Sequence, residues 1–471
     1  MKTLLLATLL STFAAMILPA QTFTLLHTFA GPPDDGSLPQ GQLIQGPDGT
    51  IYGTTIAGGT HDAGTVFKVQ PDGSGYQVLW SLPGAPGPRL VYAGLALGGN
   101  TLYGTSVEGG ANNEGAVFRV DTDGSNPGTI YNIGTTNTDG DNLIARLWLD
   151  GTTLYGTSPY SQDSDNRGLV FSLDISGTNF QVLRSFGNFD LDPEDGMSPQ
   201  AGLCLGGSTL YGTTASGGDL STNNLDYLGT VFKIDTDGGN FSVITRFEGS
   251  SVAGPNADLI LGGDTLFGAA TGSGSDTLFR VNTDGSGLQV LHVFPGSGSS
   301  NDGLYPNGPL TLIGNTLYGT TQLGTGTNTG GVIFKLNTNG TDYTILHSFR
   351  TSTPNTNGVM PLSGLLLGGG QFFGTADEGG TAGYGTLFSL TYRSATPTNL
   401  VYHADGSFSL SYLLGTNYLG TNYTYILQAT TNLGAAAWQP LATNLATTNL
   451  WIFTDTDASA LPTRFYRVLS Y

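Results

Sequence analysis

Apolar and polar positions along this chain are organised in short runs, and no extended stretch keeps the 3.6-residue apolar spacing of a helix. Four run types recur in fixed order. Run a is the "GLxLGG" pattern, as in "AGLALGG" at Ala93, "AGLCLGG" at Ala201 and "SGLLLGG" at Ser363. Run b is "TLYGTT", run c is "GTVFKV", and run d is "YQVLWSL" at Tyr76, "FQVLRSF" at Phe180 or "YTILHSF" at Tyr343. Aromatic and β-branched residues fill these runs, and Asp/Asn-Gly pairs such as "PDGSG" and "NTDGS" separate a from b and c from d. Such runs are strands that are apolar on both faces, joined by tight hairpin turns.

The aromatic of run b falls at Tyr52, Tyr103, Tyr155, Tyr211, Phe267, Tyr318 and Phe373, so the period is 51 to 56 residues. A period near this length in an all-β sequence with four strands per repeat predicts propeller blades. The ends of the array fix the closure. "FTLLHTF", from Phe23 to Phe29, is a d run with no a, b or c before it, and the last repeat ends at "GTLFSL" without a d run. The first strand is therefore expected to complete the last blade, leaving no open edge. The expected fold is all-β: a seven-bladed β-propeller over residues 21–393, closed by the N-terminal strand, followed by a small antiparallel β-sandwich over 394–471.

The long, varied loops are d–a and b–c, and strand polarity places both on one face. Function on a rigid scaffold is expected in such loops. Composition narrows the partners. With 15 Lys+Arg against 35 Asp+Glu and a net charge of −20, the chain lacks the clustered basic residues that nucleic acid or an anionic membrane requires. Residues 1–20 read as a signal peptide: Lys2, an apolar stretch from Leu4 to Leu18, and Pro19-Ala20 before Gln21. Export, no membrane insertion after cleavage, and a monomer are the expectations. Cys204 is the single cysteine, which excludes an intrachain disulfide and reads as a small buried hydrophobe.

The pattern "LYGTTxxGG…GTVFKV…DG…VLHSF" resembles the GloVer tandem repeat of bacterial secreted proteins, at full period over residues 22 to 390. That resemblance implies an extracellular or cell-surface location and no established chemistry. The sorting tail often found in such proteins is not apparent, which leaves attachment to the cell open. The final segment, with "NYTYILQATTNL" and "TRFYRVLSY", looks like a C-terminal module of exported proteins, in which Trp438, Trp451 and Tyr466 form either a sugar-stacking platform or a core.

Candidate chemistry is sparse. Asp35, Asp195, Asp302 and Asn357 begin a "DGxxP"-like element in the d–a loops. They read either as a ring of ligand-binding side chains or as a repeated turn that caps backbone amides, and recurrence favours the turn. Asp190, Asp192, Glu194 and Asp195 form an acidic loop whose oxygens suit Ca²⁺, or which is simply solvated. Calcium is the only cofactor suggested. Lys68, Arg119, Lys233, Arg280 and Lys335 follow the aromatic of run c and are expected to pair with Asp in the adjacent turns. His27, His292 and His347 share one register of run d, too far apart for a common metal. No nucleophile triad, H-x-H pair or phosphate loop is present.

The functional expectation is a secreted binding or scaffold module whose d–a and b–c loop face engages extracellular polysaccharide or cell-surface material. The alternative is a polysaccharide-degrading propeller enzyme, a hydrolase or lyase, using loop-face carboxylates. A convergent carboxylate pair with a raised pKa would favour the enzyme.

Overall fold

In the computed structural model the described residues are 22–391, except 137, 162–166, 188–194, 219–228, 248–251, 273–275, 295–301, 326–328 and 352–354, together with six strands between 395 and 470. Residues 1–20, Asp190, Asp192, Glu194 and Trp438 lie outside the described residues, as do the side chains of Trp451 and Tyr466.

Seven four-stranded antiparallel sheets form, each in the order a-b-c-d. Blade 1 comprises Ile44–Gln45, Ile51–Thr55, Thr65–Val69 and Gln77–Ser81. Blade 2 comprises Ala96–Gly98, Thr101–Ser106, Ala116–Asp121 and Gly128–Asn132, and blade 3 Trp148–Asp150, Thr153–Ser158, Leu169–Asp174 and Gln181–Ser185. Blade 4 is Cys204–Gly206, Thr209–Thr214, Thr230–Asp235 and Ser242–Arg246, and blade 5 is Ile260–Gly262, Thr265–Ala270, Asp276–Asn282 and Gln289–Phe294. Blade 6 is Thr311–Ile313, Thr316–Thr321, Thr329–Asn337 and Thr344–Arg350. Blade 7 takes Leu366–Gly368, Gln371–Ala376 and Thr386–Thr391 from the end of the array and Phe23–Thr28 from its start. That first strand pairs antiparallel with strand c of blade 7, Phe23 opposite Leu390 and Thr28 opposite Thr386. The closure read from the chain ends is thus the observed one. The a strands of neighbouring blades approach one another, so a is innermost and d outermost. Further along, Ala395–Tyr402, Phe408–Leu414 and Leu450–Asp455 form one three-stranded antiparallel sheet, and Gln439–Leu445, Thr424–Thr430 and Phe465–Ser470 form another.

The repeated residues are the parts that hold blade to blade. The core runs between sheets: Tyr52, Val66 and Leu79 of blade 1 pack with Leu102, Phe118 and Val120 of blade 2. The strand-c phenylalanines Phe67, Phe118, Phe171, Phe232, Phe279 and Phe334 are fully buried, each contributing on the order of 1.5–3 kcal/mol by burial. Each lies across the strand-b glycine opposite it. A Cβ on Gly53 would sit 2.5 Å from Phe67 Cζ, and one on Gly268 2.6 Å from Phe279 Cζ. This is why the aromatic of run b is always followed by Gly.

Two further contacts repeat around the ring. The strand-b threonine next to that glycine donates to a backbone carbonyl of the following blade: Thr54 to Ala93 at 2.9 Å, Thr105 to Ala145 at 2.9 Å, Thr157 to Ala201 at 2.8 Å, Thr320 to Ser363 at 3.0 Å, and Thr375 to Pro39 across the closure at 2.6 Å. On either side of blade 5 the contact is missing: Thr213 Oγ1 has no partner, and Ala269 occupies the corresponding place in blade 5. At the outer rim, the fifth residue of run d stacks on the first aromatic of run d in the next blade. His27 lies 3.5 Å from Tyr76, Tyr131 4.6 Å from Phe180, His292 4.0 Å from Tyr343, and His347 4.0 Å from Phe23, centroid to centroid. Arg184 takes the same place above Phe241 at 4.2 Å. The shared histidine register is an inter-blade stack, and burial takes the His347 imidazole down to a pKa of about 4.

The face carrying the a–b and c–d turns corrects one expectation. Lys233 Nζ and Arg280 Nη1 reach the carbonyls of Thr283 and Thr338 in the next blade's c–d turn, at 3.5 and 3.4 Å, and make no direct ion-pair contact among the described residues, although the Lys233 charge helps to hold the Asp284 carboxyl below its ordinary value. The aspartates cap their own turns, Asp72 accepting from the Ser74 amide at 2.9 Å and Asp284 from the Ser286 amide at 2.9 Å. An exposed Lys or Arg gains little from a surface ion pair, whereas the carbonyl offers a fixed acceptor.

Candidate functional site at the channel mouth

Every d–a loop enters the ring through the same strained step. Leu38, Leu90, Asn142, Ser198, Tyr305 and Met360 have φ between +55° and +58°, and Gly254 has φ +65° at the same register. The left-handed conformation costs a non-glycine residue roughly 1–2 kcal/mol. Its recurrence at one register marks a turn enforced by the surrounding fold. Two residues later the chain meets the mouth of the central channel. The seven positions there are Gln40, Tyr92, Ile144, Gln200, Asn256, Asn307 and Leu362, one per blade, and all line a cavity of about 390 Å³.

The mouth is dominated by neutral amides. Asn256 Nδ2 donates to Asn307 Oδ1 at 3.2 Å, and Asn307 Nδ2 donates to Gln322 Oε1 at 3.1 Å. Two residues deeper lies a second ring with one charge pair. Arg146 of blade 3 donates through Nε to Asp258 Oδ2 of blade 5 at 2.5 Å, and the Gly202 amide of blade 4 donates to Asp258 Oδ1 at 2.6 Å. The bridge passes directly over blade 4. A Cβ on Gly202 would meet Arg146 Cγ and both Asp258 oxygens at 3.0 Å, so glycine is what lets blades 3 and 5 join there. Arg146 also lies 5.7 Å from the Trp148 ring.

Aromatic exposure follows the same face. The exposed tyrosines among the described residues are Tyr92, Tyr160, Tyr305 and Tyr384, at 40 to 49% exposure. Tyr92 and Tyr305 lie in d–a loops, Tyr160 and Tyr384 in b–c loops. The large exposed aliphatics, Leu25, Val182, Leu288 and Val293, lie instead on or beside d strands at the rim.

The sequence-predicted residues sit farther out. Asp35 is buried and accepts from His27 Nε2 at 3.0 Å, the Ala30 amide at 2.8 Å, the Gly36 amide at 2.7 Å and the Tyr76 hydroxyl. Burial pushes its pKa up, but those four hydrogen bonds prevail and hold it below the ordinary carboxylate value. Asp195 is buried and paired with Arg184. Asp302 is looser: His292 Nε2 is 3.7 Å from its carboxylate, and its backbone carbonyl accepts from Tyr343 at 2.7 Å. Asn357 is exposed, and its carbonyl accepts from Thr386 Oγ1 at 3.2 Å. These four are held by the run-d and run-c elements beside them, and none lines the mouth cavity. Among the described residues no group of three or more His, Cys, Asp or Glu is placed to hold a metal ion.

Three other carboxyl groups at the loop face are raised. Asp276, at the start of strand c in blade 5, is pushed up by burial although it accepts from the Tyr305 amide at 2.6 Å. Asp141, in the loop entering blade 3, is pushed up to about 7 by burial and by Glu114 of the blade 2 b–c loop, with which it shares a hydrogen bond. Asp377, in the b–c loop of blade 7, is raised to about 6 by burial despite a hydrogen bond from Gln40, and its Oδ1 has no partner. In blade 1 the corresponding residue is Ile56.

The closed ring of seven short sheets, with a polar mouth on its loop face, defines a repeat-built β-propeller. The chain belongs to the Gloeobacter/Verrucomicrobia repeat family, whose profile matches twice, over residues 11–225 and 220–436. No curated protein matches it. Solved structures similar to it include an oligogalacturonate lyase from Vibrio parahaemolyticus, 11% identical, covering 79% of this chain and 97% of that one with a TM-score of 0.45. Another is the extracellular domain of a one-component system from B. thetaiotaomicron, 13% identical, covering 96% of this chain and 57% of that one with a TM-score of 0.48. A nidogen/laminin complex is 18% identical over 58% of this chain and 86% of that one, with a TM-score of 0.38. At these identities and TM-scores nothing about chemistry passes to this chain.

The mouth residues were missed because no motif marks them. The signal that would have found them is internal. Aligned on run a, the repeats read "QGQL", "YAGL", "IARL", "QAGL", "NADL", "NGPL" and "LSGL". The first and third positions vary while the second stays small and the fourth is always Leu, as expected of side chains freed from packing.

Proposed function

We propose that this protein is an exported binding module that engages extracellular polysaccharide or cell-envelope material through the d–a and b–c loop face. The carrying observation is the chemistry of the mouth. Amide side chains that donate and accept surround a 390 Å³ cavity, with Tyr92 at its edge. Amides match the hydroxyls of a sugar, and an exposed tyrosine ring stacks on its apolar face. A concave site of this size lined mostly by amides suits a small, hydroxyl-rich unit. The test is affinity electrophoresis of the full chain through gels cast with a panel of polysaccharides, with and without Ca²⁺. Retardation on an intact polymer supports the reading; unretarded migration through every polymer refutes it.

The Glu114–Asp141 contact favours a second reading, a polysaccharide-degrading enzyme. A carboxyl group that keeps its proton near neutral pH is what a general acid needs. Cleared tracks in the same gels, abolished by Asp141→Asn, would identify this activity.

A further inference from the structure

We propose that the channel mouth selects carboxylated sugars, the hexuronates, with Arg146 as the partner of the ligand carboxylate and Asp258 as the residue that positions it. This deepens the sugar-binding reading above and rests on it. Arg146 is the one cation among the residues lining the cavity. Its Nε is committed to Asp258 at 2.5 Å, while Nη1 and Nη2 have no acceptor among the described residues. Asp258 is in turn fixed by the Gly202 amide at 2.6 Å. A guanidinium held by its Nε side presents its two terminal nitrogens as a rigid fork that matches the two oxygens of a carboxylate. Orientation is settled before the ligand arrives, which lowers the ordering cost of binding.

The surroundings exclude competing partners for that fork. Asp258 is the only other charged residue lining the cavity, and both of its oxygens are already bonded. The remaining polar lining, Gln40, Gln42, Gln200, Asn256 and Asn307, carries no charge and is suited to ring hydroxyls. Positions equivalent to Arg146 are Gln42 in blade 1, Gly94, Gly202 and Gly364 in blades 2, 4 and 7, Asp258 in blade 5 and Pro309 in blade 6. The second ring therefore carries a single cation, with the backbone of neighbouring blades packed close against its glycines: a Cβ on Gly94 would sit 2.5 Å from the Gln42 carbonyl oxygen and one on Gly364 2.5 Å from that of Pro309.

The test is calorimetric titration of the full chain with hexuronate oligosaccharides and with the same oligosaccharides after reduction of their carboxyl groups, at about 0.15 M salt to screen the acidic surface. A free hexuronate monosaccharide and an internal uronate unit are titrated separately, since either source carries the same group. The expected result is that the uronate form binds about tenfold or more tightly than its reduced counterpart. Arg146→Gln should remove that difference, Asp258→Asn should narrow it, and Arg146→Lys should retain part of it. A merely structural Arg146–Asp258 bridge would change the melting temperature of these variants without changing the ratio. Equal binding of both forms, or a preference that survives Arg146→Gln, overturns this inference and leaves the sugar-binding reading standing. Binding of neither form overturns both. If Arg146→Gln does not fold, the comparison of the two ligands on the unaltered chain decides alone.

Discussion

Asp35 and Asp302 occupy the same place in the repeat but are bonded differently, so their removal should have unequal consequences. Asp35 accepts four hydrogen bonds, from His27, Tyr76 and the amides of Ala30 and Gly36. These tie the closing strand to the loop leaving it and to strand d of blade 1. Asp35→Ala leaves two backbone amides and the Tyr76 hydroxyl without an acceptor. Each orphaned donor costs about 1–3 kcal/mol, less where water can enter. The expected loss is about 3–5 kcal/mol. At Asp302 the carboxylate has one distant partner, His292 at 3.7 Å, and the Tyr343 hydroxyl uses the backbone carbonyl at 2.7 Å, which alanine retains. Asp302→Ala should cost about 1 kcal/mol or less. Equilibrium urea unfolding followed by tryptophan fluorescence and by circular dichroism checks both. The pH dependence gives a second reading. A carboxyl whose folded pKa lies below its unfolded value stabilises the fold above the unfolded pKa of 3.8, and that contribution is lost as pH falls through the lower folded value. The gap between wild type and Asp35→Ala should therefore close in acid. Equal losses for the two variants, or a gap that does not change with pH, would refute the reasoning.

Three further outcomes follow from the structure. Gly268→Ala puts a Cβ 2.6 Å from Phe279 Cζ and should destabilise by about 1–3 kcal/mol through overpacking, read as a lowered unfolding midpoint; an unchanged midpoint would mean the Phe279 ring relaxes freely. Burial, reinforced by the nearby Asp258 charge, pushes the Cys204 thiol up to about 12, so a disulfide reagent at pH 8 should label the native chain far more slowly than the urea-unfolded one. The Asp141 carboxyl, pushed up to about 7, favours the fold fully below the unfolded pKa of 3.8; that contribution is lost as pH rises through about 7. Asp141→Asn should flatten this part of the stability profile, and an identical profile in the variant would count against the shared hydrogen bond with Glu114.

Much of this architecture could be read from the chain. A period of 51 to 56 residues, four strand runs per period and a lone d run at Phe23 determine seven blades and their closure, because a strand that is apolar on both faces must be covered on both, and an unpaired edge must be paired. The Gly after each strand-b aromatic is equally a sequence-level requirement, since the Phe opposite it leaves no space for a Cβ. What only the tertiary structure decided is which residues of different blades meet. Arg146 and Asp258 are 112 positions apart, and the contact exists because the ring brings blades 3 and 5 together over a glycine in blade 4. The d-run histidines likewise share only a register in sequence, and become stacking partners when the next blade supplies Tyr76, Tyr343 or Phe23. Local pattern specifies each blade because strand pairing and packing within it are periodic. The mouth is assembled from one varying residue per blade, so its chemistry belongs to no single repeat and comes into being only when the ring closes.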